Sequence, residues 1–242
     1  MNDALHDYAS QTGFSGGENL AIMQEARNYN AYLRSLVIRY AGNADSALDF
    51  GAGIGTFSDS LGIAPQRVFC VEPDGAAREV LSQKGYSAVA DLAQLDDQCV
   101  PYAFTLNVLE HIEDDAAIVA ELFRVLQPGG RLFVYVPAFN VLYTSMDALV
   151  GHHRRYRRNG LASLLEGAGF VIEKTAYTDV LGFFATLAYK VVDRRKDGAL
   201  NARSVRLYDR LVFPASRILS TVFASLLGKN LYIVASRPAS PA

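Results

Sequence analysis

The sequence predicts an α/β domain built on a mainly parallel sheet, and three observations carry that prediction. Short apolar runs alternate with helical runs from Ala47 to Val136. Each strand candidate is bounded by turn residues. The chain has 242 residues, half hydrophobic and a fifth charged, enough for one sizeable core. Parallel neighbours need crossover connections, so helices cover both faces of such a sheet. The apolar fraction excludes a disordered chain, and no internal repeat or low-complexity tract is visible.

In chain order, Leu20, Met23, Ala26, Leu33, Leu36, Val37 and Tyr40 recur at helical spacing and predict a helix over Glu18–Ala41. After the Gly42-Asn43 turn, strands are expected at Ala47–Phe50, Arg67–Val71, Ser87–Ala90, Tyr102–Leu106 and Arg131–Val136. Helices are expected near Thr56–Leu61, Asp74–Gln83 and Asp115–Leu126, the last ended by Pro128-Gly129-Gly130. A helix at Leu161–Ala168 and a strand at Phe170–Tyr177 follow, then two longer helices within Val180–Leu227 and a last strand at Asn230–Ser236. One domain is expected over 1–242, with a helical lid (1–45), a core (46–178), a helical insertion (179–229) and a last strand and tail (230–242).

In the insertion, Tyr208, Leu211, Val212, Ala215, Ile218, Leu219, Val222, Phe223 and Leu226 follow helical spacing and define an apolar face. Arg203, Arg206, Arg210 and Arg217 form another stripe, and Pro214 is expected to kink or divide the helix. With the apolar run Val180–Val192, including Phe183, Phe184, Leu187 and Tyr189, these helices fit a roof over a hydrophobic pocket. A membrane-surface contact or a dimer face fits the same pattern.

The formal net charge of −2 hides an asymmetry. Residues 1–150 carry 8 basic and 19 acidic side chains, and residues 151–242 carry 15 and 6. The basic part points to an anionic partner, or to solvated surface helices. Cys70 and Cys99 lie in or beside apolar runs and point to a reducing compartment rather than a disulfide framework. The polar first ten residues do not read as a secretory signal, and no window of eighteen residues is uninterrupted apolar. The expected location is cytoplasmic, with peripheral membrane contact left open.

Chemistry concentrates at the predicted strand ends. Leu48-Asp49-Phe50-Gly51-Ala52-Gly53-Ile54-Gly55-Thr56-Phe57 reads as an apolar strand, a glycine-rich turn and a helix start, where backbone can approach a ligand closely. The spacing departs from G-x-G-x-x-G. Asp49 before the turn would repel a pyrophosphate and attract an amino group or sulfonium, which favours S-adenosylmethionine over NAD. Glu72, ending the next strand, suits the two hydroxyls of a ribose, or the capping of the following helix. Asp91, after the third strand, suits an exocyclic amine such as adenine's, or is a solvated loop acid.

With these residues in view, the chain resembles the class I S-adenosylmethionine-dependent methyltransferases of small-molecule type. The resemblance covers roughly residues 45 to 178 and the last strand. It is carried by LDFGAGIGTFS, Glu72, Asp91, TLNVLEHIEDD and LQPGGRLFVYVPA. It implies a Rossmann-like, doubly wound, seven-stranded sheet with its last strand antiparallel. It further implies that Gly51, Gly53 and Gly55, with Ala52, border the methionine moiety. Glu72, beside Pro73, would hold the ribose, Asp91 and Leu92 the adenine, and Asn107 and Val108 would line the reactive centre.

His111 lies in the loop after the fourth strand, where a neutral imidazole could take the proton of a hydroxyl acceptor. Positioning of the loop is the alternative role. In the segment Gly151-His152-His153-Arg154-Arg155-Tyr156-Arg157-Arg158, six of eight residues are His or Arg. A metal is not expected there, because four arginines would repel a cation and Asp147 is the nearest acid. Binding of a carboxylate or phosphate by His152, His153, Arg154, Arg155 and Tyr156 is the functional expectation. Pairing of this loop with the acidic first half is the structural one. The whole reads as a methyltransferase acting on a small or lipid-like anionic acceptor, with O-methylation favoured. The alternatives are a non-catalytic S-adenosylmethionine-binding regulator and a nucleotide-dependent oxidoreductase on a similar sheet. Nucleic acid is disfavoured for want of a binding domain or stacking motif, and composition leaves the oligomeric state open.

Overall fold

A computed structural model describes residues 25–192 and 202–239. Its sheet has seven strands: β1 (Ala47–Phe50), β2 (Val68–Val71), β3 (Ser87–Val89), β4 (Val100–Leu106), β5 (Leu126–Pro137), β6 (Val171–Thr178) and β7 (Asn230–Ser236). The order is β3-β2-β1-β4-β5-β7-β6, with β7 antiparallel to both neighbours and the other pairings parallel. The doubly wound architecture expected from the strand–helix alternation is therefore observed. Strand order reverses between β1 and β4, which opens a crevice at their carboxyl ends.

Side-chain alternation divides the core between the two faces. Leu132, Val134 and Val136 of β5 and Leu231, Ile233 and Ala235 of β7 point to one face. There they meet helices α3 (Asp115–Val125) and α5 (Arg158–Gly167) through Ile118, Val119, Leu122, Leu161 and Leu165. Phe133, Tyr135, Tyr232 and Val234 point to the other face, under Leu33, Leu36, Val37 and Tyr40 of helix α1 (Arg27–Ala41). The α1 residues that sequence periodicity singled out are thus the ones it buries, while Glu18–Gln24 of the expected helix lie outside the described residues. Helix α2 (Gly75–Gln83) starts at Asp74, whose carboxylate accepts the Ala77 N–H at 2.7 Å.

The expected helix at Thr56–Leu61 does not form. A single 3-10 turn at Ser58–Ser60 stands in its place. Gly55 and Gly62 both have positive φ, +83° and +69°, so too few residues remain between them for a stable α-helix. Ser58, moreover, turns its hydroxyl inward to Asp49 at 2.6 Å.

The loop after β5 carries the short helix α4 (Ser145–Leu149). The insertion holds α6 (Val180–Val192), α7 (Ala202–Leu207), a π-helical turn at Tyr208–Val212 and α8 (Phe213–Phe223). Pro214 is the second residue of α8, just after the π-helical turn, so the regular α pattern is interrupted beside it. The apolar face expected here is not the buried one. Leu211, Ile218, Val222 and Leu226 are each more than 60 % exposed, whereas Phe213, Ser216 and Asp209 are buried. The extra residue in the π turn rotates the stripe, and inward hydrogen bonds to Asp209 and Ser216 select the buried face.

Candidate functional site

Register aligns the strand ends. Phe50 pairs with Val71, Val71 with Val89 and Phe50 with Thr105, so Gly51, Glu72, Asp91 and Asn107 all follow the carboxyl edge of the sheet. Gly51 donates its N–H to Val71 at 2.9 Å and has φ +78°. A Cβ there would stand 2.3 Å from Val108 Cγ2, so only glycine lets the turn close onto the loop after β4.

Glu72 is buried, and its carboxylate accepts N–H groups from Gly53 at 2.8 Å and Asp74 at 3.0 Å. Burial raises its pKa against those two hydrogen bonds. Each carboxylate oxygen keeps a further lone pair for a hydroxyl donor. Asp49 is also buried and pushed up to about 7 by desolvation, so a cation beside it would stabilise its charged form. Asp91 caps the 3-10 turn Leu92–Gln94, accepting from Ala93 N–H at 3.0 Å while Gln94 reaches back to its own N–H. Leu92 is fully buried in the core, and Pro73 is half-buried after Glu72. Ala52 is buried beneath the turn. Asn107 adopts φ +55°, and Val108 is buried against Gly51.

His111 closes a 3-10 turn, Leu109–His111, whose amide is held by Val108 O at 3.0 Å. The loop of residues 144–156 lies against it. The His111 ring meets His152 edge-on, with centroids 4.5 Å apart, and hydrogen-bonds to the backbone of Val150 and Gly151. Burial, reinforced by His152, lowers its pKa to about 4, so the ring is neutral at physiological pH. His152 Nδ1 lies 2.7 Å from Asp147 Oδ1. Asp147 also accepts Arg155 Nε at 2.8 Å and Nη2 at 2.9 Å, and the Thr144 N–H at 2.8 Å. Despite its burial, the hydrogen bonds from His152 and Arg155 hold its carboxyl far below the usual range.

Arg154 donates to Asp115 at 3.1 Å, and Tyr156 donates to the same carboxylate oxygen at 2.7 Å. His153 is exposed, although its N–H ties the loop to Glu110 O at 2.8 Å. The structure therefore gathers His111 and His152 and sets Arg154 and Arg155 in ion pairs with carboxylates of this chain.

Three contributors were not singled out as site residues from the sequence. Glu110 is completely buried beside His111, with no hydrogen bond from another residue to either carboxylate oxygen. Tyr29 brings α1 to the crevice, where its hydroxyl meets Asn107 and Tyr135 and burial pushes it up to about 12. Asp209 accepts the N–H groups of Asn28 at 2.9 Å and Tyr29 at 2.8 Å, capping α1 from 180 residues away. The Asp147–His152–Arg155 spacing was a legible signal for a paired loop. Nothing local could have announced Asp209.

Beyond Phe139, which follows β5 with φ +60°, an aromatic floor forms. Phe139 stacks on Tyr177 at 4.7 Å and meets Phe183 edge-on at 5.5 Å. Arg157 lies over Phe139 and Arg158 over Tyr177. A cavity of about 500 Å³ runs between β6 and α8, sharing Tyr177 and Arg158 with this cluster and lined also by Lys174 and Arg217, and does not include His111.

Comparison with known proteins bears on this geometry. Residues 48–134 match the methyltransferase domain family. The chain is 30% identical over 182 residues to a protein of Mycolicibacterium smegmatis named as a probable S-adenosylmethionine-dependent methyltransferase, covering 72% of this chain and 68% of that one. It is 30% identical over 97 residues to a ubiquinone biosynthesis O-methyltransferase of Xanthomonas oryzae, covering 36% and 41%. Among solved structures, a methyltransferase of Thermotoga maritima, described as a possible histamine N-methyltransferase, superposes with a TM-score of 0.66 at 14% identity, covering 95% of this chain and 99% of that one. A geranyl diphosphate C-methyltransferase of Streptomyces coelicolor, solved with Mg2+, geranyl diphosphate and S-adenosylhomocysteine, superposes with a TM-score of 0.58 at 14% identity, covering 86% and 77%.

Proposed function

Because this chain belongs to the S-adenosylmethionine-dependent methyltransferases, we propose that it methylates an oxygen of a small or lipid-like acceptor bearing an anionic group. The crevice fits the cofactor. Gly51 and Val108 form a cradle that a Cβ would fill, and Glu72 and Asp49 supply buried carboxylates for hydroxyls and a cation. We assign Gly51, Ala52, Gly53 and Gly55 to the methionine moiety, Glu72 and Pro73 to the ribose, Asp91 and Leu92 to the adenine, and Asn107 and Val108 to the reactive end. When bound, the cofactor supplies an electrophilic methyl group on a sulfonium.

The observation that supports the acceptor class is the pair of half-buried rings Phe139 and Phe183, packed over the buried Tyr177, with Arg157 and Arg158 beside them. It offers an apolar body its contact and an acidic group its counter-charge. Arg154 and Arg155 hold the loop before them in place through ion pairs with Asp115 and Asp147, and His152, His153 and Tyr156 complete the same loop. His111 is the proposed catalytic residue, because its neutral ring enters the reaction with a lone pair for the acceptor's proton. In-line positioning supplies the rest of the rate.

The test is incubation of the protein with isotopically labelled cofactor and panels of anionic amphiphiles, neutral amphiphiles and small polar hydroxy compounds. Labelled methyl ethers or esters of the anionic amphiphiles are expected. Label on nitrogen or carbon, or turnover confined to neutral polar compounds, refutes the acceptor assignment.

A second reading concerns where the acceptor is met. Leu207, Leu211, Ile218, Val222 and Leu226 form an exposed apolar stripe flanked by Arg206, Arg210 and Arg217, which suits the surface of an anionic bilayer. No helix among the described residues is long and apolar enough to cross a membrane. Flotation with anionic but not neutral liposomes, weakened by salt, is the expected result.

A further inference from the structure

We propose that Glu110, His111 and His152 form a binding site for a divalent transition metal of the Zn2+ class, with two histidines and one carboxylate as ligands. One donor atom from each residue lies within 4.8 Å of the others, and His152 Nε2 is 3.8 Å from Glu110 Oε1. A tetrahedral site with bonds of about 2.0–2.1 Å places donors roughly 3.3 Å apart, so closure needs shifts on the order of 1 Å. Side-chain rotation supplies that.

Three features separate this cluster from an incidental grouping. Glu110 is fully buried, yet its carboxylate has no hydrogen-bond partner on any other residue. A buried carboxylate without partners is costly, and a coordinated cation removes the cost. His152 presents Nε2 to the cluster while its Nδ1 is held 2.7 Å from Asp147, the carboxylate–histidine arrangement that orients metal-ligating rings. The backbone of Val150 and Gly151 hydrogen-bonds to the His111 ring in the same orienting manner.

Two of the four arginines that counted against a metal in the sequence are neutralised here. Arg155 is neutralised by a bidentate pair with Asp147, and Arg154 pairs with Asp115. Three protein ligands leave a coordination position open, as in catalytic rather than structural zinc sites. On the methyl-transfer reading proposed above, on which the role but not the binding depends, that position would take a hydroxyl oxygen of the acceptor and lower its pKa. The His111 lone pair would then hold the cation, His111 would act as a ligand and not as the base, and the proton of the metal-bound hydroxyl would leave to solvent water.

The test uses the full chain, stripped with a chelator and titrated calorimetrically with ZnCl2 in the absence of cofactor. One equivalent is expected to bind, with Glu110→Gln and His152→Gln each weakening affinity at least about 100-fold, and His153→Ala binding as wild type does. Circular dichroism and a separate S-adenosylmethionine titration check the variants. Should a variant unfold, the Co2+ form of the wild-type protein decides: it is expected to show hyperfine-shifted ring N–H protons from two histidines. Absence of stoichiometric Zn2+ binding by folded wild type overturns the site, as does retention of affinity in both folded variants or a Co2+ form without those signals. Glu110 would then be a neutral buried acid. Loss of metal binding with cofactor binding intact leaves the methyltransferase reading standing, and the reverse result removes only that reading.

Discussion

Replacing Asp209 with alanine should detach the start of α1 from the insertion and so disturb the crevice. The Asp209 carboxylate is buried and accepts two backbone N–H groups, from Asn28 and Tyr29, while its own carbonyl accepts the Asn28 side-chain amide at 2.9 Å. Hydrogen bonds to a charged acceptor contribute roughly 1.5–3 kcal/mol each. Helix caps measured by truncation are worth about 0.5–2 kcal/mol, because a frayed end recovers water. Between these limits, a loss of about 2–3 kcal/mol is expected. For a domain of this size it lowers Tm by about 4–12 °C. Glu25 and Arg206 form a second, exposed ion pair across the same junction, which adds little.

The consequence reaches the site through Tyr29, whose hydroxyl meets Asn107 at the crevice. Cofactor affinity should therefore fall along with stability, and Asp209→Asn, which keeps one acceptor oxygen, should lose less of both. Hydrogen exchange over residues 27–41, scanning calorimetry and cofactor titration read the three effects. Unchanged protection of that helix, with Tm within about 1 °C of wild type, would refute the cap.

Other expectations follow from the same geometry. Gly51→Ala sets a Cβ 2.3 Å from Val108 Cγ2 at a φ of +78°, an overpacking of about 1–3 kcal/mol, and should depress cofactor binding in a titration that Val108→Ala partly restores; no rescue would mean that Val108 is not the obstacle. Glu72→Ala should weaken S-adenosylmethionine binding by about one to two powers of ten, read by calorimetry, and an unchanged Kd would remove Glu72 from the ribose. Glu110, raised by burial from 4.5 to about 8, keeps its proton in the folded state over a window where the unfolded chain has lost it. Its contribution to stability is therefore fully present below about 4.5 and is lost as pH rises through about 8. His111, held near 4, slopes the opposite way between about 4 and 6.5. Urea unfolding with chelator present should accordingly show stability falling between about pH 6.5 and 8 in wild type but not in Glu110→Gln, whose stability instead rises between about 4.5 and 6.5 because the His111 slope is no longer opposed. Superimposable profiles would contradict the burial of Glu110 as an ionisable acid.

The strands, most helices and the glycine turn were legible in the sequence because their signals are local. A parallel strand buried on both faces reads as a short apolar run whatever its neighbours are, which is why β1, β2 and β4 emerged near their observed bounds. The shared place of Gly51, Glu72 and Asp91 at the carboxyl edge was likewise readable, since each lies within two residues of a strand end and parallel register levels those ends. Where local preference was marginal, tertiary contact decided. Ser58 left the expected helix for Asp49, and the π turn with buried Asp209 and Ser216 turned the insertion's apolar stripe outward. Pairings across long separations were decided by tertiary structure alone: Asp209 with Asn28 and Tyr29, Arg154 and Tyr156 with Asp115, His111 with His152. Hydrophobic period is set by backbone geometry within a few residues, whereas a charge finds its partner over a few ångströms of space that only strand order creates.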